Sequence, residues 1–220
     1  VFVTRFEHDL LNRNKRISYP RDPKSNRSMT ALYTYSAFGA TSLKVDNGSD
    51  VKEIITSIEY NEFGQMTEVR RGNNTTTTYT YDVRGRLDNL SSVSSANNRI
   101  LALQDVSYRF RVDNSIRSVT NSTDIDTDGA NTSTIRYDYT YDGLNRLKTA
   151  SGSYLKTSAD QLTTLANRTY THSYTYAANG NLMSKSLYGS GSTTSDTWTY
   201  DYANHAATAI DTTAQGSERF

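Results

Sequence analysis

The sequence predicts an all-β protein built from consecutive antiparallel hairpins, and three observations carry that prediction. A tyrosine-centred motif recurs along the whole chain, one position of it holds only Gly or Asn, and threonine commonly separates its paired aromatics. Internal repetition is the first thing to seek, because a missed repeat misassigns the entire fold.

The clearest copies are Tyr79-Thr80-Tyr81-Asp82-Val83-Arg84-Gly85-Arg86-Leu87 and Tyr139-Thr140-Tyr141-Asp142-Gly143-Leu144-Asn145-Arg146-Leu147. With the second aromatic as anchor, Gly or Asn follows four positions on and an aliphatic residue six on. The same spacing recurs as Tyr60, Gly64, Met66, as Phe110, Asn114, Ile116, and as Tyr176 (preceded by Tyr174), Gly180, Leu182. Weaker copies are anchored at Tyr35 with Gly39, at Tyr200 with Asn204 and at His8 with Asn12, giving eight anchors 21 to 35 residues apart.

Each part of the motif has a physical reading. Tyr79 and Tyr81 are two apart, so they leave one face of a strand, and the β-branched Thr80 between them favours extended backbone. Asp82 suits the first position of a type I turn, where its carboxylate accepts backbone N–H groups. Gly85 follows where such hairpins need φ > 0. Gly and Asn tolerate the left-handed region at least cost, which explains their exclusive use there. On this reading Gly39, Gly64, Gly85 and Gly180, with Asn12, Asn114 and Asn145, all sit after turns with positive φ. The aliphatic pairs Met66 and Val69, Leu87 and Leu90, and Ile116 and Val119 are three apart, which breaks strand alternation. Either a bulge intervenes or both faces of that strand are covered.

Between hairpins, the polar stretches 72–78, 91–98 and 189–195 read as hairpin tips or crossing loops. Pro20 and Pro23 mark an exposed loop. Ser158 to Arg168 is the one stretch with helical character, and an extended loop suits it equally. Eight hairpins give about 16 strands, which at about 4.8 Å each span about 75 Å, and a twisted sheet of that width curls.

Composition narrows the function. Hydrophobic residues make up only 35%, but 17 Tyr and 6 Phe supply aromatic area. Twenty-four basic residues balance 23 acidic ones at a net charge of +1 with no basic cluster, so nothing points to nucleic acid or an anionic membrane. No Cys means no disulfide framework, thiolate nucleophile or Cys-ligated zinc. No apolar run approaches the roughly 18 residues of a membrane span.

Catalytic signatures are missing. G-x-S-x-G, H-E-x-x-H, G-x-G-x-x-G and the P-loop do not occur. Ser153 to Lys156 fits S-x-x-K, but without its partner motifs this is chance in a Ser-rich chain. His8, His172 and His205 lie far apart, and a packing or surface role suits each. Asp82, Asp142 and Asp201 are explained by a turn position rather than by acid–base work. The sharpest local motif is Asp124-Ile125-Asp126-Thr127-Asp128-Gly129, whose Asp124, Asp126 and Asp128 could bind calcium weakly. Ile135 stands where an EF-hand has its twelfth-position Glu, so the plain reading is a solvated acidic tip. No other cofactor is expected. The Asn-x-Ser/Thr triplets at Asn47, Asn74, Asn121, Asn131 and Asn167 follow from composition.

The Y-x-Y-D-x-x-[Gly/Asn]-R-L copies resemble the RHS, or tyrosine-aspartate (YD), repeat family. It includes bacterial Rhs proteins, the B and C components of Tc toxins, wall-associated toxins and teneurins. The resemblance covers nearly all of residues 1–220 as a single repeat segment. It implies hairpins laid side by side in a curved sheet that forms part of a hollow shell, in bacterial members around a C-terminal toxin. It implies a structural wall segment, not an enzyme, whose partners are the rest of its own shell and an enclosed or C-terminal polypeptide, in a secreted or cell-surface protein. The alternative is an adhesion module that reads glycans or a cell surface through exposed Tyr and Trp198. No self-cleavage segment or toxin domain is recognisable, so neither activity is carried over.

The opening VFVTRFEHDLL and the closing GSERF read as cuts in a longer chain. A sheet strip cut at both sides exposes two unpaired edges. The 220 residues expressed alone are therefore expected to aggregate, or to be found only within a larger assembly or parent chain whose flanking hairpins pair with strands near Phe2 and Trp198, and sedimentation of the purified fragment reads the outcome. A soluble monomer that melts cooperatively would replace the wall segment with a closed β-domain.

Overall fold

The computed structural model describes residues 2–96, 99–124, 131–158, 165–189, 195–203, 205–213 and 218–219, and every regular element among them is a strand. The chain divides into two units, Val1–Leu103 and Gln104–Phe220. In the first unit β1 (Arg5–His8), β2 (Asn14–Ser18), β3 (Thr30–Tyr35), β4 (Ala40–Asp46), β5 (Val51–Tyr60), β6 (Met66–Arg71), β7 (Thr75–Tyr81) and β8 (Leu87–Ala96) form a meander. Each strand pairs antiparallel with the next. β9 (Arg99–Phe110) joins the second unit, where its Asp105–Phe110 segment pairs with β10 (Ile116–Asp124). β11 (Asn131–Tyr141), β12 (Leu147–Ser158), β13 (Leu165–Tyr176), β14 (Leu182–Gly189), β15 (Ser195–Ala203), β16 (Ala206–Thr212) and β17 (Glu218–Arg219) continue the same pattern.

Six of the turns share one construction. At Asp82 the backbone N–H donates to the Arg86 carbonyl (2.9 Å) and the Gly85 N–H returns to the Asp82 carbonyl (2.9 Å). The Asp82 carboxylate accepts the N–H groups of Arg84 (2.8 Å) and Arg86 (3.0 Å), which satisfies donors the tight turn would leave open. Asp9, Asn61 and Asp142 repeat this arrangement. Where Arg111 and Ala177 hold that place, a later residue substitutes: Asp113 accepts from Ser115 and Asn179 from Asn181. Asn12, Gly64, Gly85, Asn114, Asn145 and Gly180 carry φ of 60°, 76°, 74°, 68°, 59° and 92°.

Gly39 departs from this set. Its φ lies outside the left-handed region, because the Tyr35 hairpin is one residue shorter: Tyr35 pairs with Ala40, whereas Tyr60 pairs with Met66. Glycine is needed there for space. A Cβ on Gly39 would lie 2.7 Å from the Tyr60 hydroxyl, so the residue admits the ring of the next repeat.

The aliphatic spacing of three resolves as a bulge. Register slips by one residue beside each of these anchors, leaving Thr67, Asp88 and Arg117 as the extra residues. Leu87 opposes Tyr81 and Leu90 opposes Tyr79, so both aliphatics join the ring face.

Three further sequence expectations are corrected. Thr75–Thr78 and Ser91–Ala96 are strand, not loop, and Tyr200 lies mid-strand, as described below. Side-chain hydroxyls hold those polar strands together, as at Thr77 and Ser92 (2.9 Å). The true tip is Gly72 to Asn74, with Asn74 at φ 62°. Of the stretch with helical character, Ser158 ends β12 and Leu165–Arg168 opens β13, while 159–164 lie outside the described residues. Residues 190–194 of the 189–195 stretch lie outside them as well, with Gly189 ending β14 and Ser195 opening β15.

Burial is thin. Among the described residues the buried hydrophobics are Ala31, Val69, Val106 and Ala209, and no large side chain is fully enclosed. Stability must therefore come from contacts between neighbouring hairpins within one layer rather than from two layers closing on a core.

Replacing Gly85 by Ala is expected to destabilise the fold by about 1–2 kcal/mol, the penalty for a Cβ in the left-handed region. Gly85→Asn should lose clearly less. Denaturant unfolding of both variants reads the difference.

Candidate functional site

Among the described residues no pocket of concentrated chemistry stands out; what recurs is a junction between successive repeats. Strand alternation brings each anchor ring onto one face, and the turn geometry sets the height of its hydroxyl. The Tyr35 hydroxyl donates to the Asn14 carbonyl (2.7 Å), Tyr60 to Ala40 (2.7 Å) and Tyr81 to Met66 (2.7 Å). In the second unit Tyr141 donates to Ile116 (2.8 Å) and Tyr176 to Leu147 (2.9 Å). Each acceptor is the residue opposite the preceding anchor, at the start of its return strand. The phenol thus reaches back one whole repeat and closes a carbonyl left open beside the bulge.

The residue after the Gly/Asn position reaches forward. Arg13 donates to the Ser36 carbonyl (2.8 Å) and its guanidinium lies 4.4 Å from the Tyr35 ring centre. Arg146 repeats this with the Ala177 carbonyl (3.2 Å) and the Tyr176 ring (4.6 Å). Gln65, in the same place, donates to the Gly85 carbonyl (2.8 Å). The arginines are aimed by their own turns: Asp9, Asp82 and Asp142 bind Arg13, Arg86 and Arg146 through both guanidinium and backbone. The Arg86 side chain, followed by backbone N–H donors, holds Asp82 below the ordinary carboxylate value of 3.8. At Asp142 the backbone N–H of Arg146 is the larger cause of the same lowering. Burial pushes the phenols of Tyr81 and Tyr176 up, so they stay protonated donors at neutral pH.

The other sequence candidates separate clearly. Tyr79, Tyr139 and Tyr174 sit on the ring face one pair inward from their anchors, opposite Leu90, Ala150 and Lys185. Phe110 opposes Ile116 as an anchor should, yet has no hydroxyl to donate, and His8 opposes Asn14.

The Tyr200 copy is misplaced. Tyr200 pairs with Ile210 inside β15, Asp201 is a strand residue opposite Ala209, and the register slip that marks an anchor falls at Tyr202. Trp198, Tyr200 and Tyr202 alternate on one face, so a spacing argument can slip by two residues without losing an aromatic.

His172 lies between Tyr170 (5.4 Å) and Tyr174 (6.2 Å), where burial, then the Lys185 charge, lowers its pKa. That keeps it a neutral packing residue. Asp126 and Asp128 of the acidic motif lie outside the described residues. Among the described residues no group of three or more His, Cys, Asp or Glu could hold a metal.

The arrangement defines a strip of antiparallel hairpins stitched repeat to repeat by phenols and turn arginines. Residues 60–100 match the RHS repeat family model, so this stretch carries an RHS repeat. The chain shares the fold of a chain in the Photorhabdus luminescens Tc holotoxin pore, with TM-score 0.74 and 20% identity over 96% of this chain and 10% of that one. The TcdB2–TccC3 crystal structure matches with TM-score 0.64 and 19% identity over 97% of this chain and 13% of its own. TcdB2–TccC3 without its hypervariable C-terminal region gives TM-score 0.63 and 20% identity over 98% and 12%. The chain thus spans about a tenth of the length of these structures. No curated protein sequence matches it.

Sequence reasoning located the rings but missed what their hydroxyls bond and gave the arginine no role. The recurring Asp-x-x-x-Arg spacing at Asp9, Asp82 and Asp142 was the available signal.

Tyr141→Phe keeps the ring and removes one repeat-to-repeat bond, so stability should fall by about 1 kcal/mol with the strand content unchanged. Circular dichroism during urea unfolding checks both parts. A variant as stable as the parent would deny the stitch any energetic role.

Proposed function

We propose that this chain is a structural wall segment of an RHS-repeat shell that encloses or displays another polypeptide, in a secreted or cell-surface protein, and that it has no catalytic role. The observation that carries the reading is the use of its polar and aromatic groups. The anchor phenols, the turn carboxylates and the turn arginines are engaged with one another and with neighbouring backbone. A surface built this way offers extent and regularity instead of a reacting centre.

The likeness to Tc toxin structures supports a shell role, and the thin burial supports a layer that works as part of a larger enclosure. An adhesion role is less well served. Trp198 is half-buried with the Lys185 ammonium 5.3 Å from its ring, and the hydroxyls of the anchors Tyr35, Tyr60, Tyr81, Tyr141 and Tyr176 are hydrogen-bonded within the sheet, so the rings that repeat along the sheet are committed to it; the exposed rings are others, such as Phe2, Tyr19 and Phe63.

Protease protection tests the proposal. In the intact gene product, a polypeptide segment carried with the repeats should resist digestion under native conditions and become sensitive once urea opens the strip. Equal digestion in both conditions would remove the enclosing role.

A further inference from the structure

The hairpin tip between β4 and β5, Asp46-Asn47-Gly48-Ser49-Asp50, combines features that belong to a reacting centre. The Asn47 side-chain oxygen accepts the N–H groups of Ser49 (3.0 Å) and Asp50 (3.0 Å). Reaching Ser49 folds that side chain back over the intervening Gly48 peptide. The Gly48 N–H donates to the Asp46 carboxylate (2.7 Å). Gly48 has φ 83° and open space where a Cβ would stand, its nearest neighbour there being the Ser28 carbonyl at 3.9 Å. The Asn47 amide nitrogen makes no hydrogen bond among the described residues, and Gly48 to Asp50 are exposed to water.

We propose that Asn47 is a self-modification site, where the fold promotes deamidation through a cyclic imide with Gly48. The Gly48 nitrogen bonds to Asn47 Cγ while its proton passes to the Asp46 carboxylate and on to the departing nitrogen. The Cγ–Nδ2 bond breaks and ammonia leaves. Water then opens the imide at either carbonyl, giving aspartate or isoaspartate, with no oxidant or reductant involved. The two N–H groups on Oδ1 stabilise the oxyanion of the tetrahedral intermediate, and Asp46 acts as general base.

The chain contains its own comparison. Asn179-Gly180 is a second Asn-Gly pair, also in a turn with positive φ. There the Gly180 N–H is tied to the Ala177 carbonyl (3.0 Å), a much weaker base than a carboxylate, and Oδ1 accepts one N–H, that of Asn181 (3.1 Å). Asn47 therefore ages first. The product adds a negative charge between Asp46 and Asp50, and the isoaspartate form lengthens the backbone by one methylene, which loosens this tip.

Peptide mass spectrometry on the intact gene product, incubated at neutral pH in ¹⁸O-labelled water, measures label entry at both sites. Three results are expected together: faster entry at Asn47 than at Asn179 in the folded protein, near-equal entry in guanidinium, and slowing at Asn47 alone, by about tenfold or more, in Asp46→Ser. Equal rates in the folded protein, a preference that survives denaturation, or an unaffected Asp46→Ser variant would each overturn the proposal.

Discussion

The structure depends on one hydrogen bond made again and again, from a tyrosine hydroxyl to a backbone carbonyl one repeat behind it. A lone two-stranded hairpin is marginal in water, because it buries too little to offset the ordering of its backbone. At Tyr35, Tyr60, Tyr81, Tyr141 and Tyr176 the phenol links a hairpin to its predecessor at the weakest place, beside the bulge where ladder pairing is interrupted. Tyrosine does this better than phenylalanine or serine: the ring covers the bulge and carries the donor across the gap between strands. The turn arginine works in the opposite direction. At Arg13 and Arg146 it leans on the next ring and binds the next turn, and Gln65 reaches the next turn in the same way, so these junctions are held from both sides.

That construction explains the composition. A strip whose stability lies in nearest-neighbour junctions has no need of a large apolar core, and the few buried hydrophobics are small: Ala31, Val69, Val106 and Ala209. Strand faces without a packed partner layer can be threonine and serine, whose hydroxyls pair across strands at Thr140 and Thr149 or Thr175 and Ser184. The same economy leaves the turn tips to carry apolar residues into solvent, among them Leu10, Phe63, Val83 and Leu144.

Glycine serves two different ends. Gly85 answers a dihedral requirement, and Asn145 meets the same requirement at an equivalent place. Gly39 and Gly152 answer a requirement of space: a Cβ would lie 2.7 Å from the Tyr60 hydroxyl in one case and would overlap the Tyr170 ring in the other. Asn cannot substitute at either of these. The distinction is invisible in a motif, where all are simply glycine beside an aromatic.

The sequence by itself determined the hairpin unit, because that unit is local. Alternating rings, a carboxylate that caps its own turn and a residue tolerant of positive φ all act within nine residues, so their spacing is preserved in the letters. Tertiary structure alone decided what each ring bonds, since the acceptors at Asn14, Ala40, Met66, Ile116 and Leu147 lie 15 to 29 residues away and any carbonyl looks alike in sequence. It also decided that the polar runs at 75–78 and 91–96 are strands, because hydroxyl pairing depends on a neighbour that composition does not reveal. It moved the last anchor from Tyr200 to Tyr202, because three alternating aromatics leave the register to be set by pairing with β16.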